Sequence, residues 1–385
     1  MNPLRRLLNL DPEERESRGL LHTPAEIAQQ PQSWHKTWQL FQQHLADLQL
    51  LLRSAYEERR TIFLIGAGTS DYIGHAIAAL LRRKWNTEVI VAASTDLLAS
   101  REDLVLPDRK YLWISFSRSG ESIEGITVLE QALSSCSNIL HLVVSCNARG
   151  PMVTLAEQSE NAHAIVLDDS VNDRGLAMTS SFTNMVIFGQ ALATLWSGED
   201  FEATLAPMAR AADFVLDSGA DVAYELARDT TRYACFVGSS SLSAAARESA
   251  LKVLELTSGA IQTISESTLA LRHGPMSALN QQTVFASFVS TDPKRCRYDL
   301  DLLSEIRSKQ AVRTLVAVGH DAPVADHVLF YPPFRQIPDS HRAAVDVIFG
   351  QLFGLFSSIE CGGMPDSPSP NGIINRVVQR FNIYT

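Results

Sequence analysis

The sequence predicts an α/β protein made of two similar domains, each a parallel β-sheet covered by helices on both faces. The first observation is that three apolar strands of one half recur in the other half, in the same order and at nearly the same spacing. The second is that helix-length segments with a 3.6-residue apolar rhythm separate the strands. The third is the length of 385 residues, which suits about two to three domains of ordinary size.

The predicted elements begin with an N-terminal helical region. Residues 1–56 should contain two helices, one beginning at Thr23 with a capping box to Glu26 and one from Ser33 to Tyr56. We expect these helices to serve as packing or dimer elements rather than as a separate domain.

The repeated strands then follow in chain order. In each half the first strand runs into a turn of glycine and hydroxyl residues. The two segments are TIFLIGAGTS (61–70) and YACFVGSSSLS (233–243). The other predicted strands are Tyr111–Phe116, Leu140–Ser145, Thr283–Phe288 and Arg313–Val318. The predicted helices are Glu121–Leu133, Asp200–Leu226 and Ala244–Leu256.

The expected organisation is a helical arm at residues 1–44, a first domain at 45–205, a second at 206–365 and a C-terminal tail at 366–385. The prolines between residues 364 and 370 predict an extended tail. The apolar residues between 371 and 384 indicate that the tail docks again on the protein.

Composition and charge restrict the class of protein. With 45% hydrophobic and 20% charged residues, no apolar run approaching the roughly 20 residues of a membrane span and no signal-peptide pattern, we expect a cytoplasmic protein. The five cysteines are scattered and predict neither disulfides nor a zinc site. The net charge of -10 disfavours nucleic acid, but local donors can still bind an anionic substrate.

The most informative segment is LWISFSRSGES at residues 112–122. Its apolar part suits a buried parallel strand, and Ser117, Ser119 and Ser122 stand around Gly120 in the turn that follows. Serine hydroxyls, turn amides and a helix N-terminus all donate toward one point, which favours a bound phosphate. A serine turn that only caps the helix is the alternative.

A second candidate lies on the helix that begins near Ser243. Glu248, Lys252 and Glu255 are spaced to share one face of that helix, while apolar residues, Leu254 among them, are expected on the buried side. Two carboxylates around one ammonium can leave one carboxylate free as a base. The alternative is a solvated salt bridge worth a few tenths of a kcal/mol.

A third candidate is His273 in the sequence LRHGP at residues 271–275. The Gly-Pro that follows makes a rigid turn in which an imidazole can be presented for proton transfer near neutral pH. A loop histidine without a role is the alternative, although only this one of the ten histidines is framed by Gly-Pro.

Together these motifs resemble the sugar isomerase (SIS) domain family over nearly the whole chain. The motifs are GAGTS (66–70), SRSGES (117–122), ARESALKVLEL (246–256) and RHGP (272–275). Stretches similar to the AgaS subgroup of bacterial amino sugar enzymes are NDRGLAMTSSFTNM (172–185), YDLDLL (298–303) and NRVVQ (375–379). The resemblance implies two tandem SIS domains of flavodoxin-like, three-layer architecture.

The resemblance also implies roles for individual residues. The serine turn of the family binds the phosphate of a sugar, and the positions implied here are Ser117, Ser119, Ser122, Gly68, Thr69, Ser70 and Arg118. By motif position, Glu255 abstracts the proton at C2, with support from Glu248 and Lys252. His273 is implied to assist ring opening from a neighbouring subunit, which implies a homodimer or higher homo-oligomer.

The implied reaction is deamination coupled to aldose–ketose isomerisation, with galactosamine 6-phosphate giving tagatose 6-phosphate and ammonia in amino sugar catabolism. After ring opening, the C2 hydrogen is removed and returned at C1. An amine on C2 then becomes an imine that water hydrolyses, whereas a hydroxyl on C2 gives a ketose directly. Neither a metal nor another cofactor is expected, and neither is a membrane partner.

Three other functions stay open at this point. One is a tagatose-6-phosphate ketose/aldose isomerase without deamination, and another is a glucosamine-6-phosphate deaminase, because the sequence does not place the side chains that read C4. The third is a non-catalytic sugar-phosphate sensor. A sensor would need neither Glu255 nor His273, and residues 1–56 lack a basic helix-turn-helix.

The chain also departs from glucosamine-6-phosphate synthase, the best-known relative in this family. No glutaminase domain precedes the first motif, which favours ammonia release over uptake. Arg118 replaces a glutamine of the synthase and is expected either to contact phosphate or to form an outward salt bridge. Asn375 and Arg376 lie near the position of the synthase's tail lysine, so the sequence supports no Schiff base there.

Overall fold

The computed structural model describes residues 2–229, 231–369, 372–378 and 381–384. The chain divides into two compact units, each built from discontinuous segments. The first-sheet unit comprises His35–Asn172, Asn184–Glu199 and Gly372–Thr385. The second-sheet unit comprises Met1–Trp34, Asp173–Thr183 and Asp200–Asn371.

The first-sheet unit contains a five-stranded parallel sheet in the order β2-β1-β3-β4-β5. Its strands are β1 (Thr61–Gly66), β2 (Val89–Ala93), β3 (Tyr111–Ser117), β4 (Ile139–Ser145) and β5 (Ala162–Val166). Strands β1 and β3 are buried throughout, as expected for parallel strands covered on both faces. The strand order reverses between β1 and β3, which is where open α/β sheets bind ligands.

The second-sheet unit contains a parallel sheet of the same topology, in the order β10-β9-β8-β6-β7. Its strands are β6 (Tyr233–Gly238), β7 (Gln262–Glu266), β8 (Thr283–Phe288), β9 (Thr314–Val318) and β10 (His327–Leu329). Its order reverses between β6 and β8. Two parallel sheets flanked by helices confirm the predicted fold class.

The α-helices connect and flank these strands. They are α1 (Pro3–Leu8), α2 (Pro12–Ser17), α3 (Thr23–Ala28), α4 (Gln30–Gln43), α5 (Leu45–Glu57), α6 (Thr69–Trp85), α7 (Ser94–Leu104), α8 (Ile123–Ser135), α9 (Pro151–Glu157), α10 (Ser180–Ala193), α11 (Glu202–Phe214), α12 (Ala220–Ala227), α13 (Leu242–Leu256), α14 (Pro293–Ser308) and α15 (Asp339–Glu360). Short 3₁₀ or π turns lie at Asp169–Val171, Val215–Gly219, Ala270–His273, Pro275–Ala278 and Pro332–Gln336.

The N-terminal helices differ from the sequence prediction in two respects. The single helix expected from Ser33 to Tyr56 is two helices, α4 and α5, separated at His44. The capping box is wrong, because the Asp366 carboxylate accepts the backbone N–H of Thr23 at 2.7 Å. The Glu26 side chain instead accepts backbone N–H groups of a different segment, including that of Gly175 at 3.3 Å.

Helix α15 corrects the expectation that no apolar run approaches membrane-span length. By length and composition it could cross a membrane, yet 89% of its apolar window is buried inside the protein. It packs against α13 so closely that a Cβ at Gly350 would lie 2.3 Å from the Cβ of Ser249. The apolar character of α15 is therefore that of a core helix.

Candidate active site

The first candidate site lies at the carboxyl ends of β1 and β3, which are paired neighbours. A Cβ at Gly66 would lie 2.3 Å from the carbonyl carbon of Ser70, so only glycine lets the chain turn directly into α6. Gly68 has a φ of +55°, which also favours glycine. Thr69 and Ser70 begin α6 and are buried. A helix N-terminus therefore stands beside the serine turn.

The serine turn itself presents two hydroxyl groups with fixed oxygen atoms. Ser117 Oγ accepts the backbone N–H of Gly120 at 3.0 Å, and Ser119 Oγ accepts that of Glu121 at 3.2 Å. Because each oxygen is used as an acceptor, each hydroxyl hydrogen can be donated to an anion. Ser122 precedes α8 but its side chain makes no capping hydrogen bond, so the capping alternative fails for Ser122.

The loop after β4 forms hydrogen bonds with the serine turn and packs closely against it. Asn147 Nδ2 donates to the Ser119 carbonyl at 2.8 Å, and the Cys146 N–H donates to the Arg118 carbonyl at 3.2 Å. A Cβ at Gly150 would lie 2.6 Å from the Ser119 carbonyl oxygen, so glycine is required for this approach. Sequence reasoning missed Asn147 and Gly150, because they follow a different strand and match no motif.

Arg118 makes a contact that the sequence did not predict. Its side chain is buried, at 6% exposure, and Nη2 donates to the Arg376 carbonyl at 2.7 Å. Arg376 in turn donates to Asn172 Oδ1 at 2.6 Å. The side chain is therefore not directed outward as considered for a salt bridge, while a phosphate contact stays a prediction.

The tail reaches the serine turn through Arg376. Five apolar residues of the described tail are exposed, namely Ile373, Ile374, Val378, Phe381 and Tyr384, whereas Val377 and Ile383 are partly buried. That the tail docks through its apolar residues stays a prediction. Residues 370, 371, 379, 380 and 385 of the expected tail, including the end of the NRVVQ stretch, lie outside the described residues.

The second candidate site is the carboxylate–ammonium cluster on α13. Lys252 Nζ lies 3.2 Å from Glu248 Oε1 and 2.5 Å from Glu255 Oε2. The side chains of Glu248 and Lys252 are 0% exposed, whereas that of Glu255 is 28% exposed. The solvated salt bridge is therefore wrong. Leu254, which was expected on the buried side, is exposed. The reason is that α15 covers the face of α13 that carries Lys252.

The electrostatics of this cluster favour the ammonium form of Lys252. Burial by itself disfavours the charge, but the carboxylates of Glu248 and Glu255 outweigh it, so the pKa of Lys252 is raised above its ordinary value. The contact to Glu255 uses Oε2, and within the described residues Oε1 makes no hydrogen bond or ion pair. The cluster thus fixes Glu255 at one oxygen and leaves the other without a protein partner among the described residues.

His273 stands apart on an exposed turn. Its ring makes no hydrogen bond or ion pair with the described part of the chain. Gly274, which follows, has a φ of +125°, a conformation that side-chain-bearing residues rarely adopt. Leu271, by contrast, is fully buried in the core of the second sheet. The turn is therefore anchored by its neighbours and presents the imidazole outward.

Comparison with known proteins places this geometry in a family. The SIS domain family matches residues 55–195. The chain is 35% identical over 371 residues to the D-galactosamine-6-phosphate deaminase AgaS of Escherichia coli O157:H7, covering 94% of this chain and 95% of that protein. An AgaS of the same description from Shewanella sp. (strain ANA-3) is 30% identical over 98% of this chain and 95% of its own length. The chain belongs to the AgaS family of SIS-domain proteins.

Solved structures agree with membership of the AgaS family. The crystal structure of tagatose-6-phosphate ketose/aldose isomerase from Escherichia coli is similar with a TM-score of 0.83 and 31% identity, over 92% of this chain and 95% of that one. The C-terminal domain of glucosamine-fructose-6-phosphate aminotransferase from Francisella tularensis shares the fold, with a TM-score of 0.72 and 20% identity over 88% and 96% of the two chains.

One AgaS-like stretch, residues 172–185, contains a buried acid to which the sequence assigned no role. Asp173 accepts backbone N–H groups of Thr179 at 2.7 Å and Ser181 at 2.8 Å, and so caps α10. Burial and the charge of Asp173 raise the pKa of the neighbouring Glu26 to about 8. The sequence did contain a signal for this cap, because an acidic residue precedes Thr-Ser-Ser and such residues are common at the starts of helices. This AgaS-family chain thus fixes the segment by internal hydrogen bonds.

Proposed function

We propose that the chain catalyses deamination of an amino sugar phosphate coupled to aldose–ketose isomerisation, with galactosamine 6-phosphate as substrate. The observation that carries the proposal is the cluster on α13, in which the buried Lys252 holds one oxygen of Glu255 and leaves the other available. A sugar-phosphate sensor has no use for such a base. Similarity along the whole length to proteins named D-galactosamine-6-phosphate deaminase supports the choice of substrate.

The serine turn is proposed to bind the phosphate. The hydroxyls of Ser117, Ser119 and Ser122 supply donors, and the start of α6 supplies the positive end of a helix dipole. The contributing residues at that helix start are Gly68, Thr69 and Ser70. The guanidinium of Arg118, close to this turn, adds positive charge that favours a dianion.

The chemistry follows from a fixed phosphate and one positioned base. His273 moves a proton between the ring oxygen and the anomeric hydroxyl, which opens the pyranose to an aldehyde. Glu255 removes the C2 proton, the electrons form an enol at C1–C2 as O1 takes up a proton from water, and the same carboxyl returns its proton to C1. The C2 amine gives a proton back to water and is then an imine. Water adds to C2 as ammonia leaves, which gives tagatose 6-phosphate.

The buried neighbours of Glu255 have a supporting role in this proposal. Lys252 holds one oxygen of Glu255 in position, while Glu248 balances the buried ammonium so that it does not stand alone in the core. Glu255 can therefore cycle between base and acid while its partners stay charged.

A second candidate is a tagatose-6-phosphate ketose/aldose isomerase. It is favoured by the likeness to the Escherichia coli structure of that name. The same enol serves this reaction, because a hydroxyl on C2 gives the ketose without hydrolysis. The two candidates therefore share every residue and differ only in the C2 substituent of the substrate.

The exposed His273 also supports a proposed homo-oligomer, since a ring without a partner in its own described chain can complete the site of a second copy. We place the protein in the cytoplasm, where the substrates of amino sugar catabolism are phosphorylated and its five free cysteines stay reduced. The proposal includes no metal, other cofactor, nucleic acid or membrane partner.

The test is an assay of ammonia release with galactosamine 6-phosphate, glucosamine 6-phosphate and N-acetylgalactosamine 6-phosphate, beside an aldose assay with tagatose 6-phosphate. Ammonia from galactosamine 6-phosphate alone is expected. Ammonia from glucosamine 6-phosphate alone would mean that the substrate has the opposite configuration at C4 and is glucosamine 6-phosphate. No ammonia, with tagatose 6-phosphate converted to an aldose, would support the isomerase, and no turnover of any sugar would contradict both.

A further inference from the structure

We propose that Asp299 on α14 is a positioning residue that holds the turn carrying His273, acting through Thr268. The inference rests on the proposed role of His273 in ring opening. It gives a function to the YDLDLL stretch, which contains Asp299 and which the reaction itself leaves without a role.

The Asp299 carboxylate lies at the point where the strand order of the second sheet reverses. Its Oδ1 accepts the hydroxyls of Thr268 at 2.6 Å and Ser239 at 2.9 Å. Its Oδ2 accepts the backbone N–H of Ser290 at 2.9 Å. These three donors follow β7, β6 and β8 respectively, so one carboxylate ties together the ends of three strands.

Thr268 is the link from this carboxylate to the histidine turn. It stands between the end of β7 and the 3₁₀ turn Ala270–His273. Thr268 and Asp299 are both 0% exposed, so water does not compete for their hydrogen bond. The start of the turn is therefore fixed by a buried, charge-assisted contact.

Helix α14 holds the rest of the turn as well. Leu271 packs in a core cluster with Leu302 and Leu303 of α14. Arg272 Nε donates to Glu305 Oε2 of the same helix at 2.6 Å. Thr268, Leu271 and Arg272 are thus each held by α14, through a hydrogen bond, an apolar contact and an ion pair respectively.

The histidine ring depends on these anchors because it has none of its own within the described chain. Proton transfer requires the imidazole within hydrogen-bond distance of the sugar, and a displacement of about 1 Å can cost about 100-fold in rate. A buried carboxylate is costly unless its bonds are satisfied. Burial indeed raises the pKa of Asp299, against the effect of its three hydrogen bonds. Its placement is therefore better explained by precise positioning than by stability.

The experiment compares four variants by steady-state kinetics with galactosamine 6-phosphate, each checked by its melting temperature. Thr268→Val keeps the shape but removes the hydroxyl, and we expect kcat to fall about 10-fold to 100-fold with KM nearly unchanged. Thr268→Ser restores the donor and should retain kcat. Asp299→Asn should lower kcat as Thr268→Val does. Asp301→Asn changes an exposed residue of the same helix and should leave kcat unchanged.

Combination with His273→Ala separates positioning from general weakening of the fold. Spontaneous ring opening should leave His273→Ala a residual rate, and Thr268→Val should not lower that rate further. A normal kcat in Thr268→Val, or an equal further loss in the His273→Ala background, would overturn the inference while leaving the proposed function intact. Full activity of His273→Ala would overturn both the role of His273 and the inference.

Discussion

Replacement of Lys252 by methionine tests the buried cluster on α13 most directly. Methionine has a similar length and no charge, so the variant leaves the carboxylate of Glu248 in the core without the ammonium 3.2 Å away. Loss of one partner of a buried ion pair costs about 3–5 kcal/mol of unfolding free energy, whereas a solvated i,i+4 pair contributes about 0.3–0.5 kcal/mol. Because both side chains are 0% exposed, we expect the larger value at pH 8.

The loss should shrink as the pH is lowered. In the folded variant the Glu248 carboxyl takes up a proton more readily than in the unfolded chain, so the unfolding free energy rises toward acid pH. In the wild type this cluster should contribute no such trend, because the raised pKa of Lys252 keeps its stabilising charge at every pH below the unfolded value near 10.5. The difference between variant and wild type is therefore smaller at pH 5 than at pH 8.

Urea unfolding followed by circular dichroism at both pH values measures these free energies. The double variant Glu248→Leu/Lys252→Met should recover most of the loss, since apolar replacement of a buried pair is close to neutral. Arg18→Met is the matched control, because Arg18 forms an i,i+4 pair with Glu14 in which both side chains are more than 40% exposed. A loss below about 1 kcal/mol for Lys252→Met, or a double variant no more stable than the single, would refute the buried cluster.

Three further predictions concern catalysis, binding and pH. Glu255→Gln should abolish turnover but keep the binding of inorganic phosphate seen by calorimetry, because only the base is lost; normal turnover would contradict its role. Ser119→Ala should raise KM for the sugar phosphate with little change in kcat, and an unchanged KM would count against the serine turn. Burial lowers the pKa of His141 to about 4, so between pH 7 and pH 5 the unfolded chain takes up a proton that the folded chain refuses, and stability falls. His141→Leu should remove about 2 kcal/mol of this fall in urea unfolding, and an unaltered pH dependence would exclude a neutral, buried His141.

The sequence predicted the six inner strands of the two sheets and missed the four outer ones. The inner strands are continuous apolar runs that end in turns of glycine or hydroxyl residues, and most of their residues are buried. Strands β2, β5, β7 and β10 lie at the sheet edges and are only partly buried. Their composition is mixed for that reason, so apolar periodicity alone does not separate them from loops.

The same limit applies to the candidate sites. Motif spacing found Glu248, Lys252 and Glu255, because helical periodicity fixes which residues share a face. It did not reveal that this face is the buried one, since burial depends on α15, which is about one hundred residues further along the chain. Asp299 was missed for the same reason, as its partners follow three different strands. Local patterns predict elements, while long-range packing decides their environment.

The two sheets share one topology, but opposite charges stand at their reversal points. In the first sheet, serine hydroxyls and a helix start supply donors beside the guanidinium of Arg118. In the second, Asp299 has already accepted the donors that follow β6, β7 and β8. An anion would meet hydroxyl and guanidinium groups at the first point and a carboxylate at the second. Electrostatics therefore favours the proposed phosphate site at the first sheet. The base proposed on α13 and the histidine turn belong to the second-sheet unit.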